Sequence, residues 1–295
     1  MLVQEYFKTR SRLLEKALDQ YLAPSDKYPE QLHEAMRYSV FSGGKRMRPI
    51  LFFATYEMLI GRKNINRLSR LMPVACALEL VHTASLIHDD LPSVDNSSER
   101  RGIPSCHEKF GEATAILTGD ALITKAIELL TEVSNKKVAL DCIHVLSKAV
   151  STRGMIGGQA VDILSAKKKV NINTLRYVHL KKTGALLQAA MELACVIEGA
   201  EENLTITLSN FALNLGLAYQ IVDDILDEVG SFEVLGKNPG GDSRSHKATY
   251  PSLLGLEKSK MKAEKLLRDC YNLVKNMKAN DVLLEFVNIV KDRLP

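Results

Sequence analysis

Residues 71–101 constrain the chain more than any other stretch. From Leu71 to Ile87 the run is apolar on nearly every side, with Glu79 and His82 as its charged or titratable exceptions. It ends in His88, Asp89, Asp90, Leu91, Pro92, Ser93, Val94 and Asp95, followed by the basic pair Arg100 and Arg101. A helix with no polar face has to be enclosed by other elements, so the chain must build a bundle around this one. Leu91 precedes a proline and is pushed out of the α region, which stops the helix near Asp90 and lets Asp95 fold back from a loop. Three carboxylates then converge at a helix C-terminus, where the dipole is also negative, and such a cluster needs a cation.

The same run approaches membrane-spanning length, but Glu79 and His82 near its centre would be costly in lipid, and no second span follows. It reads as a core helix. With 46% apolar and 25% charged residues the chain has the makeup of an ordinary soluble globular protein rather than a disordered one. A formal net charge of +4 is too slight to argue for nucleic acid, and Lys167, Lys168 and Lys169 read as a solvated loop. The five cysteines (Cys76, Cys106, Cys142, Cys195, Cys270) are odd in number, far apart and contain no CxxC pair. That pattern suggests neither a disulfide framework nor a zinc site and fits a reducing cytoplasm. Met1 to Arg10 lacks the apolar block of a signal peptide, so export is not expected.

Taken in order, the chain reads as helix after helix. Helical spacing predicts elements over Leu2–Leu22, Gln31–Phe41, Ile50–Ile60, the central run to Asp90, Glu112–Val133, Val138–Ser151 and Met155–Leu164. Two longer ones follow over Thr174–Glu198 and Leu204–Val229, the first tolerating Gly184 and the second Gly216. Tyr250–Leu256 and the polar helices of Lys258–Leu294 close the chain. Gly230 to Lys247, rich in Gly, Asp and Ser, is the longest irregular stretch and has the character of a lid. No composition shift divides the sequence, so a single all-α domain over 1–295 is the economical expectation.

A second acidic group lies on the Leu204–Val229 helix. Asp223 and Asp227 are four apart and about 40° from each other around the helix, with Gln220 one turn earlier on the same side and Asp224 beside them. Taken alone, such a pair is more often a solvated helix end. Phe211, Leu215, Leu217, Ala218, Ile221, Val222, Ile225 and Leu226 surround these aspartates, however, so at least one carboxylate should be desolvated. Oxygen-only clusters suit magnesium, which shares its shell with waters and substrate phosphates. Cations recur in matching places. Lys45, Arg46 and Arg48 follow the glycine turn Gly43–Gly44, His82 lies two turns below Asp89, and Lys182, Thr183, Lys237 and Lys247 are donors near predicted breaks. His88, His144 and His179 read as ordinary core histidines. Two acidic groups with several cations describe a site for phosphorylated substrates bridged by a divalent metal.

The motifs then point to a family. GGKRMRP at Gly43–Pro49, SLIHDDLPSVDN at Ser85–Asn96, RRG at Arg100–Gly102, FGEATAILTGDAL at Phe110–Leu122, GMIGGQAVDI at Gly154–Ile163, KTGALL at Lys182–Leu187 and YQIVDDILD followed by LGKNPGGDSRSHKATYPSLLG occur in order. The sequence resembles the all-trans polyprenyl diphosphate synthases, the family of farnesyl and geranylgeranyl diphosphate synthases, from about Leu32 to Leu294. The resemblance implies an all-helical single-domain bundle around a deep central cavity, as a homodimer with no integral membrane segment. It implies several magnesium ions held by Asp89, Asp90 and Asp95 and by Asp223, Asp224 and Asp227, clamping an allylic diphosphate that Arg100, Lys182 and Lys237 also grip. Lys45, Arg48, His82 and Arg101 would bind isopentenyl diphosphate, with Lys247 nearby, and Thr183 and Gln220 would present oxygen dipoles to a developing allylic cation. The implied reaction is ionisation, condensation and loss of a proton, with no protein nucleophile.

One departure is that Asn96, Ser97, Ser98 and Glu99 stand where bacterial relatives often carry further acids. In this family the residue five before the first aspartate helps set the cavity floor. Here it is Ala84, with Ser85 next to it, about 7.5 Å below Asp89 on a stripe continued by Val81 and Ala77. The expectation is an open floor and a geranylgeranyl product, with farnesyl diphosphate as the alternative if Ile123 or Ile127 closes the channel. A terpene cyclase would have no need of the Lys45 and Arg48 site, and a non-catalytic helical subunit would not keep both acidic motifs.

Overall fold

The structure is a computed structural model describing residues 3–61, 65–166, 168–229 and 248–295. It is all-α apart from one two-stranded ribbon. In chain order the helices are α1 (Val3–Tyr21), α2 (Glu30–Val40), α3 (Met47–Leu59), a 3₁₀ turn (Ile65–Leu71), α4 (Met72–Asp89), α5 (Cys106–Phe110), α6 (Glu112–Leu130), α7 (Lys136–Val150) and α8 (Met155–Ser165). They continue as α9 (Ile172–Val178), a π-helical turn (His179–Gly184), α10 (Ala185–Glu198), α11 (Glu202–Val229), α12 (Tyr250–Leu254), α13 (Leu256–Val274) and α14 (Asp281–Lys291). The chain divides into two compact units, residues 1–53 with 63–144, and residues 54–62 with 145–295.

In the first unit α4 is the enclosed element that the sequence requires. Residues Val74 to Val81 are buried without interruption, and α1, α2 and α6 pack on it. The run from Leu68 to Asp89 is long and apolar enough to cross a membrane, yet most of it is covered by the rest of the protein, as a core helix must be. Its neighbours are amphipathic. α1 turns Tyr6, Leu14, Ala17 and Leu18 inward, and α2 turns Ala35, Met36 and Val40. Gly119 explains how closely α6 approaches, because a β-carbon there would lie 2.1 Å from the His88 ring. Beyond Asp95, strands β1 (Glu99–Arg100) and β2 (Ile103–Pro104) form an antiparallel hairpin. The residues joining them, Arg101 and Gly102, both have positive φ (57° and 77°), as tight two-residue hairpins demand. Strands this short leave no periodic signal, and the sequence reading did not contain them.

In the second unit α11 is central, packed by α10, α13 and α14. The helix expected over Thr174–Glu198 is instead α9, a π turn and α10. Asn171 caps the start, accepting from the Thr174 amide at 3.0 Å. The π turn inserts a residue into the ladder and re-aims the side chains of His179 to Gly184, a device common at functional sites. Small residues permit it. A β-carbon at Gly158 on α8 would lie 2.3 Å from the Lys182 amide nitrogen, and one at Gly216 on α11 would lie 3.1 Å from the Gly184 Cα. The glycines tolerated in the sequence reading are therefore close-contact points.

Candidate active site

The first acidic motif forms as its residue types dictate. α4 ends at Asp89, and the chain folds back so that the Asp95 amide donates to the Asp89 carbonyl at 3.0 Å and the Ser97 amide to the Asp90 carbonyl at 3.1 Å. The three carboxylates do not share one environment. Asp89 is half-buried and Asp95 exposed, whereas Asp90 is only 2% exposed and accepts from Arg100 Nε at 3.1–3.2 Å and also from its Nη2. The hydrogen bond to Asp90 holds the Arg100 guanidinium above its usual range against the opposing effect of burial. Asp90 thus has a protein cation, and Asp89 and Asp95 are the pair open to solvent.

The basic residues of the same unit gather around His82. Arg101 donates to the Gly43 carbonyl and, at 3.3 Å, to Ser42 Oγ; burial lowers its pKa, opposed by the nearby Glu79 carboxylate. Its guanidinium lies flat against Gly44, where a β-carbon would stand 2.6 Å from Cζ. Lys45 is exposed and Arg48 half-buried. His82 is pushed well below the usual histidine value by burial of its ring and then by Arg48, Arg101, Arg46 and Arg100, which makes it neutral at pH 7. Its Nδ1 is enclosed and has no hydrogen-bond partner among the described residues. A neutral imidazole among arginines is a dipole placed to meet an anion rather than one more charge.

The second acidic motif sits on α11. Asp224 and Asp227 are 7% and 3% exposed, so the expected desolvation is real. Asp224 Oδ2 accepts from the Tyr250 amide at 2.8 Å and meets His179 Nε2 at 3.2 Å, and the His179 and Tyr250 rings stack 5.6 Å apart. The histidine assigned to the core is therefore the partner of a site aspartate. Asp223 Oδ1 accepts from Arg293 Nη2 at 2.6 Å, and Arg293 also lies over the Tyr219 ring. Sequence reading missed Arg293, since a lone cation near the end of a polar helix carries no periodic signal. Around the π turn, Lys182 Nζ pairs with Asp162 at 2.9 Å, and Thr183 Oγ1 donates to Gln220 Oε1 at 2.6 Å. Gln220 Nε2 in turn donates to Asp223 at 3.4 Å. Lys237, Lys247 and the lid assigned to Gly230–Lys247 lie outside the described residues.

The donor set fits magnesium by its chemistry. Asp89 and Asp95 in the first unit, and Asp223 in the second, are carboxylates with solvent access, hard oxygen donors of the kind that leave room for the waters and phosphate oxygens this ion retains. Among the described residues no three acidic, histidine or cysteine side chains are gathered around one point. The stripe of α4 that keeps solvent access runs through His82, Ser85, Leu86 and Asp89. Ala84, Val81 and Ala77 lie on the covered side, with Ala84 0% exposed. The expected open floor at Ala84 is thus filled by the protein's own packing, and Ser85 is the small residue on the accessible face.

An all-helical chain carrying these aspartate and arginine motifs falls in one class. Residues 29–290 match the polyprenyl synthetase family, and the chain belongs to it. It is 43% identical over 264 residues to a farnesyl diphosphate synthase of Geobacillus stearothermophilus, covering 88% of this chain and 87% of that protein. It is 41% identical over 295 residues to geranylgeranyl pyrophosphate synthase 4 of Arabidopsis thaliana, covering 98% of this chain and 77% of that one. A geranyltransferase of Helicobacter pylori, solved in complex with magnesium and isoprenyl diphosphate, superposes with a TM-score of 0.86 at 33% identity over 100% of this chain and 98% of that one.

Proposed function

We propose that this chain is a trans-prenyltransferase that joins isopentenyl diphosphate to an allylic diphosphate and releases diphosphate, with geranylgeranyl diphosphate as its main product. The observation that carries this reading is the neutral His82 set among arginines, with the Arg101 guanidinium hydrogen-bonded to the Gly43 carbonyl and the Ser42 hydroxyl beside it, an arrangement suited to a polyanion. Magnesium, when bound, would supply charge neutralisation to the diphosphates, and the residues that would hold such ions are Asp89 and Asp95 in the first unit and Asp223 in the second. Lys45, Arg48, His82 and Arg101 bind and orient isopentenyl diphosphate. Arg100 and Lys182 grip the allylic diphosphate; Lys237, assigned to the same diphosphate, and Lys247, assigned to the isopentenyl side, lie outside the described residues.

The Thr183 hydroxyl donates its hydrogen bond to Gln220 Oε1, so the lone pairs on Oγ1 are what it can turn toward a carbocation. Gln220 is fixed by that bond and by its own donation to Asp223. The apolar residues of α11 around Thr183 and Gln220 would exclude water from a cation that water would quench. Purified protein given magnesium, isopentenyl diphosphate and a set of allylic diphosphates is expected to release pyrophosphate and consume the isopentenyl partner. Turnover of an allylic diphosphate without isopentenyl consumption would mean a cyclase instead.

Homodimer formation is part of the reading. One face of α6 exposes Ile116, Leu117 and Ile127, an apolar set suited to covering by a second copy. Sedimentation should give twice the chain mass, and a monomer at micromolar concentration would contradict it. A cytoplasmic location agrees with five free cysteines, all buried.

A further inference from the structure

Arg46 is the most deeply buried cation of the GGKRMRP motif. It is 3% exposed and has a left-handed φ of 51°, which costs a residue with a β-carbon about 1–2 kcal/mol. Its Nη1 donates to Glu79 Oε1 at 2.6 Å and its Nη2 to the Val40 carbonyl at 2.8 Å, with Glu15 at 3.7 Å. Glu79, in the middle of α4, is 1% exposed, and its Oε2 is enclosed without a hydrogen-bond partner among the described residues. A buried ion pair compares poorly with apolar residues of the same size as a source of stability, so a pair kept in this geometry calls for another explanation.

Its position supplies one. Glu79 precedes His82 by three residues and lies on the same side of α4, about 60° away. The turn that Arg46 pins to Glu79 also carries Lys45 and Arg48 and seats Arg101 through the Gly43 carbonyl and the bare face of Gly44. By reaching inward from a left-handed backbone, Arg46 determines where its two basic neighbours emerge. By bonding to Glu79, it sets their distance from His82.

We propose that Arg46 and Glu79 are a positioning pair for the isopentenyl diphosphate cradle, holding Lys45, Arg48 and Arg101 in register with His82 while touching no substrate. This rests on the reading of that cradle given above. The decisive variant is the double replacement Arg46→Met with Glu79→Met, which removes both buried charges together and so leaves neither orphaned. It should keep the wild-type Tm within a few degrees and the wild-type affinity for the allylic diphosphate. Its KM for isopentenyl diphosphate should rise about tenfold or more, with a matching loss of isopentenyl diphosphate binding to metal-free protein by calorimetry. If the double variant does not fold, Glu79→Gln, which keeps the shape and one acceptor, is expected to show the same one-sided rise. Equal losses toward both diphosphates, or unchanged isopentenyl binding, would overturn the pairing alone. Wild-type protein that binds no isopentenyl diphosphate would overturn the functional reading and this inference with it.

Discussion

Asp89→Ala and Asp223→Ala are each expected to lower kcat by about a hundred- to a thousandfold while leaving the far-ultraviolet circular dichroism unchanged. Both carboxylates keep solvent access, on α4 and α11, so removing either takes away an oxygen ligand without opening the core, although Asp223→Ala also deprives Arg293 and Gln220 of an acceptor and should cost some stability. Their neighbours should behave differently. Asp90 is the buried partner of Arg100, and Asp224 is held by His179 and the Tyr250 amide. Truncating either leaves donors without an acceptor, so about 1–3 kcal/mol of stability should be lost as well. Steady-state kinetics with thermal melts on the four alanine variants reads the loss of turnover and the loss of stability separately, with Asp89→Ala expected to show the smallest fall in melting temperature. Near-normal turnover in Asp89→Ala or Asp223→Ala would remove the metal assignment.

Ser85→Phe should convert a geranylgeranyl-forming enzyme to one that stops at farnesyl diphosphate. Ser85 lies one helical turn below Asp89, about 40° around, on the face of α4 that keeps solvent access, and a phenyl ring there would block a growing chain. Ala84→Phe should act differently, because Ala84 is wholly covered and a larger side chain must displace its neighbours at about 1–3 kcal/mol. Its melting temperature should fall with little change in product. Chromatography of radiolabelled products reads both variants. Shortening by Ala84→Phe but not by Ser85→Phe would restore Ala84 as the gauge.

Much of this was legible from residue order because helical periodicity and local chemistry report on single elements. The enclosed α4, its stop before Pro92, the backward fold of Asp95 and the desolvation of α11's aspartates all follow from apolar runs and proline geometry. The Arg101–Gly102 hairpin, the π turn at His179–Gly184 and the Asp223 contact with Arg293 do not. Each depends on what packs against it: Gly44 under the Arg101 guanidinium, Gly158 against Lys182, α14 returning toward α11.

The sequence by itself therefore determined the helical class, the family motifs and which residue types could meet metal and diphosphate. Only the tertiary structure decided which carboxylates are partnered within the protein, which side of α4 is covered, and that Arg46 rather than Lys45 or Arg48 is the buried cation of its turn. The reason is that periodicity reports which residues of a helix share a face, whereas covering a face and neutralising a buried charge require partners that residue order does not bring together.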